Sequence, residues 1–258
     1  MANPMYRQIA EDLRGQIETG ALQPGQQLRT ELDLREHYGA SRDTVRDAIK
    51  WLANLGLVET RPGQGTFVIQ KIDPFVTTLT GDPRTGWGGD EGAVYLSEVA
   101  EKNRKPTVST PQVEIKDTSD DMATALRIPK GAEIISRHQR RFIDGTPWSM
   151  QTSYYPTEFA DRGAERLRRA RNIDEGAVKY LADTLHIRQV GYRSRLIVRA
   201  PNPTETDFFK LPQDGRVPMC EVTRTGYDDN GQPIRLTVTV FPADRNQFLL
   251  EIGAVPVL

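Results

Sequence analysis

The chain has 258 residues, enough for one large domain or two of ordinary size. A hydrophobic fraction of 37%, a charged fraction of 27% and a net charge of -1 suit a soluble globular protein and exclude a polycation that coats nucleic acid indiscriminately. The single cysteine, Cys220, has no partner for an internal disulfide and reads as a small buried hydrophobe. With no signal-peptide core and no apolar run approaching about 18 residues, the expectation is a cytoplasmic chain with no membrane span.

The first helix is predicted from about Pro4 to Thr19: Ile9, Leu13 and Ile17 repeat every four residues, Gly20 stops it, and proline in a first turn sacrifices no hydrogen bond. Pro24-Gly25 then makes a turn, followed by a short extended piece. Thr30 and Asp33 resemble a capping pair that opens a second helix, TELDLREHY, with Leu32 and Leu34 among its apolar positions. After the turn Tyr38-Gly39-Ala40, Ser41 stands where an N-cap belongs. Val45, Ala48, Ile49 and Leu52 fall at i, i+3, i+4, i+7 on one apolar helix face, while Arg42, Arg46 and Lys50 form a separate stripe that Asp43 shares. The helix ends near Leu55-Gly56. Two short strands, LVETR and GTFVIQ, follow, joined by Pro62-Gly63-Gln64-Gly65. A basic stripe kept apart from the packing face, followed by a hairpin, reads as a DNA-recognition helix with a two-stranded wing. Residues 1–72 hold nine Arg/Lys and nine Asp/Glu, so such a segment binds DNA only if its charges are sorted onto different faces.

Residues 73–92 contain Pro74, Pro83, Gly81, Gly86, Gly88, Gly89 and Gly92 with little periodicity, and read as a linker in which Phe75, Val76, Leu79 and Trp87 dock on a neighbouring surface. From Ala93 to residue 258, strand-like alternation appears at TVSTPQVEI, EIISRHQRRFID, SMQTSYY, YRSRLIVRA, MCEVTRTGYD and IRLTVTVF, with hairpin signals at Asp144-Gly145 and Asp229-Asn230-Gly231. Helical stretches SDDMATALRI, AVKYLADTLHI and ETDFFKL interrupt them. The expectation is an α+β domain on an antiparallel sheet. Tyr154 and Tyr155 alternate across a strand, so one should point inward. The basic run RGAERLRRARN (162–172) reads as a solvated helix face, with a second nucleic-acid contact as the alternative.

Residues 4–69, from YRQIAEDLRGQIETG through ASRDTVRDAIKWLANLGLVETRPGQGTFV, resemble the winged helix-turn-helix domain of the GntR family of bacterial transcription regulators. RRFIDGTPWSMQTSYYP (140–156), DEGAVKYLADTL (174–185) and GYDDNGQPIRLTVTVFPADRNQF (226–248) resemble the UTRA sensor domain of its HutC subgroup, which has a chorismate-lyase-like fold. The resemblance implies a DNA-contact set of Ser41, Arg42, Thr44 and Arg46, with Gly63 and Gly65 at the wing; Lys50 and Arg61 are further candidates. Where this chain has Arg29 the family usually has proline, and where it has Leu32 often arginine, leaving Arg29 as a candidate substitute contact. Arginine grips guanine O6/N7 in bidentate fashion, and the Ser41 and Thr44 hydroxyls suit phosphate.

For the sensor, the resemblance implies a pocket lined by Arg141 (with Arg140 or Gln139 as register alternatives), Gln151, Tyr154, Thr237 and Phe241. The family often has glutamate where Gln151 and Arg235 stand, and serine where Ala177 stands. A pocket with Arg141 and Arg235 favours an anionic or acceptor-rich small-molecule effector by charge-assisted hydrogen bonds. The implied protein is a cytoplasmic, ligand-responsive repressor, acting as a homodimer on a double-stranded DNA operator with an inverted repeat. It has no catalytic residues, no metal and no cofactor. A ligand-responsive activator and a chorismate-lyase-like enzyme are the alternatives; His37, His138 and His186 are scattered, and PGQGTF is not a phosphate-cradling loop.

Overall fold

Pro4 caps the first helix, α1 (Met5–Glu18), which buries Ile9, Ala10 and Leu13. The computed structural model describes residues 3–69, 74–78 and 91–250, in two compact units, Met1–Asp73 and Pro74–Leu258.

In the first unit, Thr30 and Asp33 form the expected capping box: the Asp33 N–H donates to Thr30 Oγ1 at 3.2 Å, and the Thr30 N–H to Asp33 Oδ2 at 3.2 Å. This opens α2 (Glu31–Tyr38), which ends on Gly39 in the left-handed region. Of its two leucines only Leu34 packs; Leu32, expected among the apolar positions, is 57% exposed. Two leucines two residues apart cannot share one helix face. Ser41 caps α3 (Arg42–Asn54), whose Val45, Ala48, Ile49 and Leu52 are all buried. Together with Ile9, Leu13, Leu28 and Leu34 they form one core. Strands β1 (Val58–Arg61) and β2 (Gly65–Val68) make the hairpin. The extended segment Gln26–Leu28 pairs along β2, through Leu28 N–H to Thr66 O at 2.7 Å and Val68 N–H to Gln26 O at 2.8 Å.

The second unit begins with β3 (Phe75–Thr78), then α4 (Glu91–Glu101). The 73–92 stretch expected as linker therefore includes a strand and the start of a helix. β3 pairs in parallel with β11 (Asn246–Leu249), near the far end of the sequence, and Phe75 is buried. So distant a partner leaves no local signal. Residues 79–90, with Leu79 and Trp87, lie outside the described residues.

The remaining elements are β4 (Pro106–Val108), β5 (Gln112–Asp117), α5 (Asp120–Leu126), β6 (Glu133–Ile143), β7 (Thr146–Pro156), α6 (Thr157–Asp161), a 3-10 turn (Glu165–Arg168), α7 (Ala177–Leu185), β8 (Gln189–Arg199), α8 (Pro203–Phe209), β9 (Met219–Asp228) and β10 (Pro233–Pro242). Among the described residues they build an antiparallel sheet of order β4-β6-β7-β10-β9-β8, with β5 also pairing β6. Both Asp-Gly-type turns occur where expected: Asp144-Gly145 has two positive φ angles, and Asp229-Asn230-Gly231 joins β9 to β10.

The sheet is covered on both faces. On one, Ile135 and Tyr155 pack with Phe159 of α6, Leu167, and Tyr180 and Leu181 of α7. On the other, Ile134, Tyr154 and Leu236 pack with Leu126 of α5, and Met150, Met219 and Val240 with Phe209 of α8. Tyr154 and Tyr155 are therefore both core, on opposite faces: one inward tyrosine was expected, and a sheet covered on both sides buries both.

Candidate nucleic-acid interface and sensor face

The start of α3 is built by its cap. Ser41 Oγ accepts from the Thr44 N–H at 3.1 Å and lies 2.8 Å from Thr44 Oγ1, so both hydroxyls sit together on the first turn. Arg42 and Arg46 follow one turn apart, and the fold places Glu31, first residue of α2, against both. Arg42 Nε donates to Glu31 Oε2 at 3.3 Å; Arg46 Nε donates to Oε1 and Oε2, each at 3.1 Å. Burial pushes the Glu31 carboxyl up, but its bonds and charge pairing with Arg46 and Arg42 outweigh that and hold it below the usual carboxylate range. The arginine side chains stay exposed, 62% for Arg42 and 46% for Arg46. Lys50 lies further along the helix with Asp47 at 3.6 Å.

On the wing, Arg61 reaches Glu59 at 2.5 Å and lies over the Phe67 ring. The tip carries Gly63 at φ +72 and Gly65 at φ +113, and Gln27 Nε2 donates to Gln64 O at 2.8 Å. Arg29 stands apart from the Glu31 cluster, exposed in the segment before α2 and lining a hollow with Leu13, Gln16 and Tyr38. Sequence reasoning missed Glu31, Glu59 and Gln27. Their signal is an acid at the first position of α2, an acid beside the wing arginine and a lone polar residue in an extended segment, none of which is distinctive without the contacts.

In the second unit the register decides which side chains share a face. Rows run across β6, β7, β10 and β9: Arg137–Ser153–Thr237–Arg224, then Gln139–Gln151–Thr239–Val222. Arg141 and Ser149 pair in the next row, with Phe241 and Cys220 on the neighbouring strands. Arg141 donates through Nη2 to Gln151 Oε1 and lies over the Tyr95 ring, and Gln151 Nε2 donates to Ser153 Oγ at 3.0 Å. Thr237 is 1% exposed. Phe241 joins Cys220, Val222 and Phe248 in an apolar cluster bordering these rows. Arg141, Gln151, Thr237 and Phe241 thus share one face, as does the register alternative Gln139.

Three residues expected in this pocket are placed elsewhere. Arg140 is exposed on the opposite face, its guanidinium over the Phe208 ring. Tyr154 is core beneath α5. Tyr154 stands three residues from Gln151 on the same strand, so alternation alone puts the two on opposite faces. For Arg140 the cause is a β-bulge. Ile143 pairs with Thr146 and Phe142 with Pro147, but Arg141 pairs with Ser149, so Trp148 is an extra residue on β7. One inserted residue swaps the faces of everything beyond it. Proline, which lacks the N–H a ladder needs, is at home beside a bulge. Without the bulge Arg140 would have shared a face with Gln151. Arg235, the third, is on the correct face at the wrong end. It stands level with Tyr155, and Arg141 with Ser149, which separates them by about 20 Å along the strands. Arg235 is 1% exposed, and its Nε donates to Gln189 Oε1 at 2.8 Å.

Sequence reasoning also missed Arg137, Ser153, Thr239 and Arg224. Arg137 is 5% exposed and donates to the carbonyls of Arg166, Leu167, Arg169 and Arg171 at 2.7–3.2 Å, laying the 162–172 run over the sheet. Gln139 joins the same run by donating to Asn172 Oδ1 at 3.1 Å. The run itself is a single 3-10 turn and loop, and Arg162, Arg166, Arg168 and Arg169 are each paired with a nearby carboxylate.

Residues 5–68 match the family of bacterial regulatory proteins of the gntR type, and residues 101–247 match the UTRA domain. The chain is 27% identical to the HTH-type transcriptional repressor NagR of Bacillus subtilis, over 95% of this chain and 93% of that protein. It is 28% identical to the HTH-type transcriptional regulator RB1450 of Rhizobium meliloti, over 97% and 96%. Among solved structures, a GntR-family regulator aligns with a TM-score of 0.63 at 23% identity, covering 98% of this chain and 99% of that one. PhnF from Mycobacterium smegmatis aligns with a TM-score of 0.57 at 18% identity, covering 96% and 100%. At these identities the structural matches speak for the fold.

Proposed function

The chain belongs to the GntR family of transcriptional regulators and carries a UTRA effector domain, and on that premise we propose that it is a ligand-responsive repressor binding an inverted-repeat operator as a homodimer, with Arg42 and Arg46 reading base edges. The carrying observation is the exposed arginine pair at the capped start of α3, in a winged domain whose other α3 face is core. A helix N-terminus of this kind enters the major groove, and each bidentate arginine–guanine pair adds about 1–3 kcal/mol of discrimination. NagR is itself named a repressor, which supports that sign of regulation. Edge strand β8, with Leu196, Ile197 and Val198 exposed, supports self-association. Footprinting on DNA upstream of its own gene tests the reading: the full chain should protect two symmetric half-sites, and Arg42→Ala or Arg46→Ala should abolish protection with the sensor still folded. Unchanged operator affinity in both variants rejects it.

We propose further that the effector is an anionic or acceptor-rich small molecule held on the sheet face of Arg141, Gln151, Ser153, Thr237 and Thr239. Buried guanidinium groups beside amides and hydroxyls suit such a ligand. In a thermal-shift screen, sugar phosphates and carboxylates should raise the melting temperature and cationic sugars should not. Arg141→Ala should remove the shift. A cationic effector that keeps its affinity in that variant overturns this assignment.

A further inference from the structure

The geometry points to Glu31 as a positioning residue that sets how far Arg42 and Arg46 prefer base edges over bare phosphate; this rests on the DNA-binding reading above. One carboxylate, eleven and fifteen residues from the two arginines, accepts from the Nε of both. Each guanidinium has five N–H donors in a rigid fork. Holding the Nε–H fixes the plane of the fork and leaves the Nη1/Nη2 end to meet guanine O6 and N7. An arginine that reads a base in this pose keeps its bond to Glu31. One that swings out to a phosphate must break it.

The same carboxylate acts a second way. Its side chain is 38% exposed beside the arginine pair, so its charge repels phosphate that approaches the pair, whatever the sequence. Both effects oppose indiscriminate binding and spare the base-reading pose. The pattern recurs along the contact set, where Asp47 stands beside Lys50 and Glu59 holds Arg61. That gives three of the nine acids in residues 1–72 a use: they restrain the cations that would otherwise grip any DNA.

The test uses the full-length chain. Wild-type protein enriches duplexes from a random-sequence pool; affinities are then measured by fluorescence anisotropy for the enriched duplex and for a scrambled duplex of equal composition, across a salt series. In E31Q the scrambled duplex should bind about three- to tenfold tighter and the enriched duplex change less, so that the ratio of affinities falls by about that factor. E31D, which keeps the charge but shortens its reach, should fall between E31Q and wild type. A purely structural defect weakens binding to both duplexes alike and leaves the ratio in place. Should E31Q fail to fold, E31D decides on the same ratio. A ratio within about twofold of wild type in the folded variants overturns the role of Glu31 and leaves the DNA-binding reading standing. A wild-type chain that enriches no duplex overturns both.

Discussion

Gly65 concentrates two constraints at one residue. Its φ of +113° lies where side chains are strained, and a Cβ there would run into the Gln27 side chain that holds the wing tip. Gly65→Ala should therefore destabilise the first unit by on the order of 1–3 kcal/mol, read by urea denaturation, and weaken DNA binding. An unchanged midpoint would show that the wing tip adapts. That a glycine was wanted at this turn was legible from Pro62-Gly63-Gln64-Gly65. That Gln27 was the neighbour was not, because the contact spans 37 residues. The same limit hid Glu31. Charge sorting was expected from the nine-against-nine composition, but an acid's partners come from helix packing, not from its neighbours in the chain.

At the scale of elements, local rules performed well wherever the cause was local. The Ser41 cap, the Thr30–Asp33 box and both Asp-Gly-type turns are side chain–backbone effects within four residues. Ser41→Ala should cost about 1 kcal/mol of stability, read by urea denaturation, because it strips the Thr44 N–H of its acceptor. The elements that sequence reasoning missed or misplaced have other causes: β3 is completed by distant β11, and the bulge at Trp148, though inside the β6–β7 hairpin, is an extra residue that strand periodicity does not mark. The 162–172 run belongs with them, since it owes its path to Arg137. Removing that guanidinium takes a donor from four backbone carbonyls, of which those of Arg166 and Arg169 keep a backbone N–H, from Arg169 and Arg171. Arg137→Met should cost on the order of 3 kcal/mol and expose the run to trypsin at Arg166–Arg171, while Arg137→Lys should not restore protection, since an ammonium cannot span the four acceptors. Equal trypsin resistance in all three proteins would refute that role.

For the whole molecule the clearest handle is pH. Burial, aided by the Arg140 charge, pushes the His138 imidazole below its ordinary value of about 6.5. Burial raises the Glu205 carboxyl, but bonds from Arg199 and the Asn202 N–H more than reverse this. Both groups thus have folded pKa values below their unfolded ones. The stability each contributes is complete above the unfolded value and is lost as pH falls through the folded one. Melting temperature should decline in two stages, the first beginning below about pH 6.5 and the second below about pH 4.3. His138→Gln should remove the first stage only. Glu205→Ala, which removes half of the capping box of α8 and leaves Arg199 with Glu221 alone, should cost about 1–2 kcal/mol at neutral pH. A melting profile flat from pH 7 to about 5 in the wild type would contradict the His138 assignment.

By itself the sequence determined the winged unit almost to the residue, because periodicity, caps and turns there are short-range and the apolar face of α3 admits one packing direction. It also determined that the second unit is an antiparallel sheet with interrupting helices. Only the tertiary structure decided which side chains meet on that sheet. A strand alternates with period two, so the single extra residue at Trp148 exchanged Arg140 for Arg141 beside Gln151, and strand register carried Arg235 to the far end of the same face.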